Sequence, residues 1–586
     1  MPSPDMHARF DEMMTIISKS SPTNWEEITD VLSGIKNRVP LSSPLSKTAF
    51  LKQMARGTAF ITFDYGIDGV SIEISKYAQA LEDIYQGWNN NRLHFIGGDF
   101  YPQADSVIKP DWTRYRIEGI NGWSKWDDGR WFSELFYQNM PKGSQASSKL
   151  AAEIYRQAVS IAQQLGKYLA KNDISLLIAV NIASNPGNIA LTVALVLVTE
   201  AMGVYVINSN HDYYWEGGKP ASDRKPDESP GVRDHFFHNL DNGPFYKLFE
   251  TLYPWNGQRW LQVNINTLQS QRLIERYGFP REKVFELSTA VSNEFFNDYS
   301  LEDVKYSRLR MGYILSDGNP TIHPVPVEIH LANLSKWMRD QKPLVLAARA
   351  GLSVDPTSDD LIYLLQPTRV IARKRIEREL HLLGALLHHR PFRDAFENNE
   401  KLQLVLHITG PTPIEHQADL ETVLQAFVDV VQALPAPISD RLFVAFSVGN
   451  EDHPSFQPNN LERMHIEDIY RMATAVVFPS ETEGRGLPII EASASGVPLI
   501  CSRYHPQEVF AGVIGEHLSE NLQIRYTLFP ERDFTTSFLD EVTELLLRPE
   551  DTRERLQHNR EAVRLRYSTS ALRSTFESLL DELRLN

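Results

Sequence analysis

Short apolar, β-branched runs recur along this chain and alternate with longer stretches whose apolar positions return every three to four residues. The short runs predict strands at Ala59–Phe63, Arg92–Ile96, Leu176–Val180, Val204–Asn208, Leu261–Ile265 and Val284–Leu287, and again at Leu361–Leu365, Leu402–Thr409, Arg441–Ser447, Ala475–Phe478 and Pro498–Ser502. The longer ones predict amphipathic helices, among them Ser148–Lys171, one capped at Ser71 with Ile74, Tyr77, Ala78 and Leu81 inward, and one with Leu380, Leu383, Ala385 and Leu386. Strands alternating with helices imply parallel, doubly wound sheets. The longest apolar stretch, Ile189–Ile207, is divided by Glu200 and Gly203 and preceded by Asn185-Pro-Gly-Asn188, so it reads as a capped buried helix and a strand rather than a membrane span.

The alternation is interrupted twice. Residues 1–55 read as a helical extension ending in Pro40, Ser42, Ser43 and Pro44, and residues 297–345, with Ser316-Asp-Gly-Asn-Pro320, Pro324 and Pro326, read as a linker carrying an inserted helix. Between and after them lie two α/β domains, 56–296 and 346–567, with closing helical residues at 568–586.

Candidate chemistry concentrates in the second domain. In Pro479-Ser-Glu-Thr-Glu483-Gly-Arg-Gly-Leu-Pro-Ile-Ile-Glu491, two carboxylates flank a Gly-rich turn between a strand and a helix. Gly484 and Gly486 let the backbone approach a ligand, and a helix starting near Leu487 points its first amides and positive dipole end there, suiting phosphate or sugar oxygens. Upstream, Gln366-Pro-Thr-Arg369-Val-Ile-Ala-Arg-Lys374 leads from a strand into a helix; Arg369 and Lys374 suit a phosphate, and Arg373 and Arg375 compete with them. Near the N-terminal side, Asp64-Tyr-Gly66-Ile-Asp-Gly69 follows the first strand, and His211-Asp212 follows the strand ending at Asn208.

The glutamate pattern, with Gly-Leu-Pro and the downstream Gly-Val-Pro, resembles the E-x7-E signature of the retaining glycosyltransferases of family 4. That resemblance implies the GT-B fold, two Rossmann-like doubly wound domains facing a cleft, with 568–586 as a helix crossing back to the first. It implies transfer of a hexose from a nucleotide diphosphate sugar of UDP-glucose or GDP-mannose type to a soluble small-molecule or sugar acceptor. Lipid or cell-envelope glycan acceptors, and a non-catalytic nucleotide-sugar binding protein, are the alternatives. In the family's terms Glu483 and His211 meet the donor sugar, Glu491 takes the ribose, and Arg369 and Lys374 neutralise the diphosphate. Gly69, Gly410 and the segment Gly484, Arg485, Gly486, Leu487 line the donor. Arg485 stands where the family commonly has an aromatic.

Composition adds limits. The 586 residues carry a net charge of −16, which disfavours nucleic acid as a partner, and one cysteine, Cys501, which excludes an intrachain disulfide and fits a cytoplasmic protein. Met1–Ser20 has no signal-peptide core, and no Cys/His spacing or Asp-x-Asp suggests a metal, so a transferase without cofactor or metal, and without stable membrane insertion, is expected. Aromatic residues gather at 100–137, including Trp112, Trp123, Trp126 and Trp131, and at Tyr213, Tyr214 and Trp215, followed by Lys219, Arg224 and Lys225. The second group, beside His211, is the better acceptor candidate because aromatic faces stack on sugar rings; core packing is the competing reading for the tryptophans.

Overall fold

The computed structural model describes residues 6–41, 43–66, 69–88, 92–225, 230–287, 289–340, 342–412, 416–447 and 452–585. Two units divide the chain: Met1–Thr289 with Leu572–Asn586, and Ala290–Ala571.

The first unit is built on a seven-stranded, wholly parallel sheet: β1 (Thr58–Ile61), β2 (Leu93–Gly97), β3 (Thr113–Arg116), β4 (Leu176–Val180), β5 (Tyr205–Asn210), β6 (Trp260–Asn264) and β7 (Val284–Glu286), in the order 3-2-1-4-5-6-7. Strands covered by helices on both faces read as continuous apolar runs, and every residue of β4 is buried. β3 escapes that pattern. Its Thr-Arg-Tyr-Arg sequence lies at a sheet edge, is mostly exposed, and sits inside the aromatic-rich segment.

The apolar stretch from Ile189 folds as a helix, Ile189–Met202, buried throughout, followed by β5. The Asn188 side chain accepts the Leu191 N–H at 3.0 Å, and Gly203 ends the helix in the left-handed region. Glu200 is buried because it accepts from Trp255 Nε1 at 2.8 Å and the Asn37 N–H at 2.6 Å. Among the described residues, no helix is long and apolar enough to cross a membrane.

Residues 1–55, read from sequence as an extension, contribute to this unit's core. Met13, Ile17, Trp25, Ile28 and Leu32 are buried in one cluster with the helix Gln145–Lys171, and Trp25 Nε1 donates to Ser147 Oγ at 2.9 Å. The helix expected to be capped at Ser71 begins at Gly69, and the Ser71 hydroxyl instead accepts the Gly66 N–H at 3.1 Å. Ile67 and Asp68 of that loop lie outside the described residues.

Among the described residues the second unit has eight strands: β8 (Val325–Pro326), β9 (Leu344–Ala347), β10 (Leu361–Gln366), β11 (Gln403–Ile408), β12 (Leu442–Phe446), β13 (Ala475–Phe478), β14 (Leu499–Cys501) and β15 (Thr527–Leu528), ordered 8-9-12-11-10-13-14-15. All pairings are parallel except β9 with β12. Stripped of β8 and β9, this order repeats the 3-2-1-4-5-6 winding of the first unit. Residues 297–345, expected to be a linker carrying an inserted helix, fall within this unit, and Leu301–Leu315 is a helix whose buried Arg310 pairs with Asp468 at 3.2 Å and whose Arg308 donates to the Met472 carbonyl at 2.9 Å.

Candidate functional site

In a doubly wound sheet the strands on either side of the first one carry the chain away in opposite directions, leaving a crevice at the carboxyl ends of the two central strands. In the second unit those strands are β10 and β13, and the loops that follow them hold the residues singled out by the sequence. The Glu481 N–H donates to the Arg373 carbonyl at 2.8 Å, and Arg373 Nη1 donates to the Thr482 carbonyl at 2.5 Å. Lys374 Nζ forms an ion pair with Glu483 Oε1, and Arg373 lies 3.8 Å from the other carboxylate oxygen.

The expected helix after β10 starts later than its sequence suggested. Ala372–Lys374 is a single 3-10 turn, Arg375 takes left-handed φ (52°), and the helix runs from Glu377 to His388. That turn places Lys374 inward, 7 % exposed, while Arg369 and Arg373 stay exposed. Burial holds the Lys374 ammonium below the usual lysine range, with the Glu483 carboxylate opposing that shift and the Arg373 and Arg369 charges adding to it. Arg375 turns aside to Glu377 at 2.9 Å and Glu481 at 3.5 Å. Of the arginines that compete in the sequence, the structure sets Arg373 beside Glu483. A pocket of about 450 Å³ lined by Arg373, Arg375, Asp419, Thr422 and Glu481 borders this loop.

The loop after β13 is held like an additional strand. The Glu483 N–H donates to the His505 carbonyl at 2.9 Å and the His505 N–H to the Glu481 carbonyl at 2.7 Å. Gly486 then caps the helix Leu487–Ser495 at φ 66°, with Pro488 in its first turn. A side chain at Gly486 is excluded twice, by that φ and by the Tyr504 hydroxyl, onto which a Cβ would fall. Gly484 is exposed with open space beside it, and Arg485 and Leu487 are half-buried. Glu491, one turn into the helix and half-buried, accepts a hydrogen bond from the Tyr470 hydroxyl at 2.6 Å. Gly410, after β11, backs onto the Thr368–Arg369 backbone so closely that a Cβ has no room. The structure thus gathers Arg369, Arg373, Lys374, Gly410, Glu483, Gly484, Arg485, Gly486, Leu487 and Glu491 at one end of one sheet.

The first-unit candidates are placed differently. Gly69 opens the helix Gly69–Ile84 with open space around it. His211 follows β5 at its carboxyl end, half-buried, its carbonyl accepting from Gln269 Nε2 at 3.2 Å. Tyr213, Tyr214 and Trp215, expected to face an acceptor, are core residues instead, 0 %, 1 % and 4 % exposed. Tyr213 stacks on Trp215 at 4.1 Å, Trp215 on Tyr277 at 4.8 Å, and the Tyr213 hydroxyl donates to Asn264 at 2.8 Å, so the rings spend their faces on one another. Of the four clustered tryptophans, Trp112, Trp126 and Trp131 are also buried, whereas Trp123 is exposed.

Two residues of the site carry no mark in the sequence: Tyr470, on a short helix before β13, and Tyr504, just beyond β14. Each reaches the site only through the fold. Among the described residues, no group of three or more histidine, cysteine, aspartate or glutamate side chains is placed to hold a metal ion.

Residues 445–559 match the family of glycosyl transferases group 1. The mannosylglucosylglycerate synthase of Petrotoga mobilis is 22 % identical over 442 residues, which cover 75 % of this chain and 80 % of that protein. Solved structures aligned with this chain include a glycosyltransferase from Rickettsia africae (TM-score 0.49, 12 % identity, 90 % of this chain and 98 % of that one) and Anabaena HepE, solved with UDP and glucose (TM-score 0.47, 12 % identity, 90 % and 99 %). The matched stretch runs from the end of β12 through Tyr470, Glu483 and Glu491, so it contains this half of the site.

Proposed function

We propose that this protein is a retaining hexosyltransferase that takes its sugar from a nucleotide diphosphate and hands it to a soluble carbohydrate-class acceptor. The observation that carries the reading is the Lys374–Glu483 pair, buried at the crevice between β10 and β13, with Arg373 alongside and the Gly486-capped helix aimed at the same place. Cleaving the sugar–diphosphate bond develops negative charge on the leaving phosphate. Lys374, Arg373, Arg369 and the amides at Gly486–Leu487 meet that charge as preorganised donors, the kind of contribution that is usually the largest in catalysis. Glu483 lies within reach of the same point, where it orients the sugar hydroxyls and compensates positive charge on the ring; Glu491 takes the ribose. With cations supplied by side chains, the phosphates need no metal.

The name of the Petrotoga relative makes a mannosyl donor with glucosylglycerate the first pair to assay, ahead of UDP-glucose with other sugars and sugar phosphates. Mass spectrometry of reactions with GDP-mannose and UDP-glucose against that panel, each run with and without EDTA, together with NMR of the anomeric centre of any product, tests the proposal. A glycoside of retained anomeric configuration, formed equally with chelator, is the expected product. Inversion of configuration, or activity abolished by EDTA and restored by one metal, overturns the corresponding part, and binding of nucleotide sugars with neither transfer nor hydrolysis favours the non-catalytic alternative.

A further inference from the structure

We infer that Tyr470 is a positioning residue: it fixes the carboxylate of Glu491 in the orientation that receives a vicinal diol, and so sets the preference of this site for ribonucleotides over their 2′-deoxy counterparts. The inference rests on the reading of Glu491 as the ribose-binding residue. Tyr470 lies in the last turn of the helix Ile466–Arg471, which packs on Leu487–Ser495. Its side chain is fully buried and its ring lies against Phe295 at 5.9 Å, so the phenol cannot swing. Its hydroxyl donates to Glu491 Oε2 at 2.6 Å, the short distance of a charge-assisted bond.

A glutamate on a helix surface has several rotamers, and a diol can be gripped by both hydroxyls only when the carboxylate plane is already set. An immobile donor at one oxygen removes that freedom before the ligand arrives, which is how preorganisation raises affinity. Burial, reinforced by the neighbouring Glu491 charge, pushes the Tyr470 phenol well above its ordinary range, so it remains a donor across the working pH. Removing the hydroxyl therefore takes away this fixed donor while leaving the Glu491 carboxylate in place.

Calorimetric titration of the full chain with UDP, GDP and their 2′-deoxy counterparts tests this on wild type, Tyr470→Phe, Glu491→Ala and the double variant. The wild type should prefer the ribose form by about tenfold or more. Tyr470→Phe keeps the ring packing and should bring that ratio towards one by weakening the ribose form alone, and it should add nothing on the Glu491→Ala background. Because the readout is a ratio of affinities on folded protein, a modest loss of stability leaves it interpretable. Equal weakening of both forms makes Tyr470 merely structural and overturns the inference, as does an unchanged ratio in Tyr470→Phe when Glu491→Ala loses it. If Glu491→Ala also leaves the ratio untouched, or the wild type binds neither diphosphate, the ribose reading itself falls and takes the inference with it.

Discussion

The two sheets share the winding 3-2-1-4-5-6 and bury polar groups near their carboxyl ends in opposite ways. In the first unit β5 and β6 carry a ladder of neutral amides: Asn208 and Asn210 donate to Gln262 Oε1 at 2.9 and 3.2 Å, Asn210 donates to Asn264 at 3.1 Å, and Gln262 donates to the Trp255 carbonyl at 2.9 Å. These side chains face one another because residues two apart share a strand face and Asn208 and Asn210 lie opposite Gln262 and Asn264. In the second unit the loops after β10 and β13 instead enclose an ammonium and a carboxylate. A neutral, mutually bonded network is a structural solution. A buried ion pair is costly to desolvate and gives little net stability, which is why the proposed function assigns this one, at the switch point, to a charged ligand.

Three experiments press on that contrast. Lys374→Met should lower turnover by roughly a hundred- to a thousandfold, measured as initial rates, because the lost charge acts as the diphosphate departs. It should also destabilise the second unit by leaving Glu483 buried without its lysine; adding Glu483→Gln should recover melting temperature but not turnover. Normal turnover in Lys374→Met would make the pair structural, like the amide ladder, and erase the distinction.

Acid should act strongly on the second unit. His407, in β11, is fully buried between the Tyr363 hydroxyl and Ser447 Oγ, both at 2.8 Å, and burial pushes its imidazole down to about 3. The unfolded chain, with an ordinary histidine near 6.5, takes up the proton first, so stability present above pH 6.5 is lost as pH falls from there towards 3, by an amount on the order of 5 kcal/mol. Urea unfolding followed across that range should show the slope, and His407→Gln should flatten it. His94 in the first unit, lowered to about 4 by burial and Arg92, shifts in the same direction.

The smallest effect belongs to the ladder. Gln262→Leu leaves Asn208 and Asn210 short of an acceptor and the Trp255 carbonyl short of a donor, and should cost the first unit about 2–3 kcal/mol in denaturant unfolding while nucleotide affinity stays as in the wild type. A changed nucleotide affinity would show that the ladder, too, serves the ligand.

What could be read along the chain follows the same division. The central strands were legible because a strand buried on both faces must be apolar throughout, and β4 and β13 match their expected ranges. β3 and β9 were not: one is a polar edge strand, and the other runs antiparallel at the end of a Pro-interrupted segment that reads as a linker. Tyr213–Trp215 looked like a ligand surface because an aromatic cluster beside a histidine has the same composition whether its faces meet a sugar or one another.

The sequence by itself determined the alternation of strands and helices, the Gly-rich turn before a helix N-terminus, and the presence of Glu483, Glu491 and a basic loop, since each depends on neighbours within a few residues. Only the tertiary structure decided that Lys374 pairs with Glu483, that Arg373 rather than Arg375 stands beside them, and that Tyr470 holds Glu491. The Lys374–Glu483 and Tyr470–Glu491 pairings join residues 109 and 21 positions apart. No local periodicity encodes such distances: the order of strands in the sheet sets which loops become neighbours, and burial then decides which side chains must find each other.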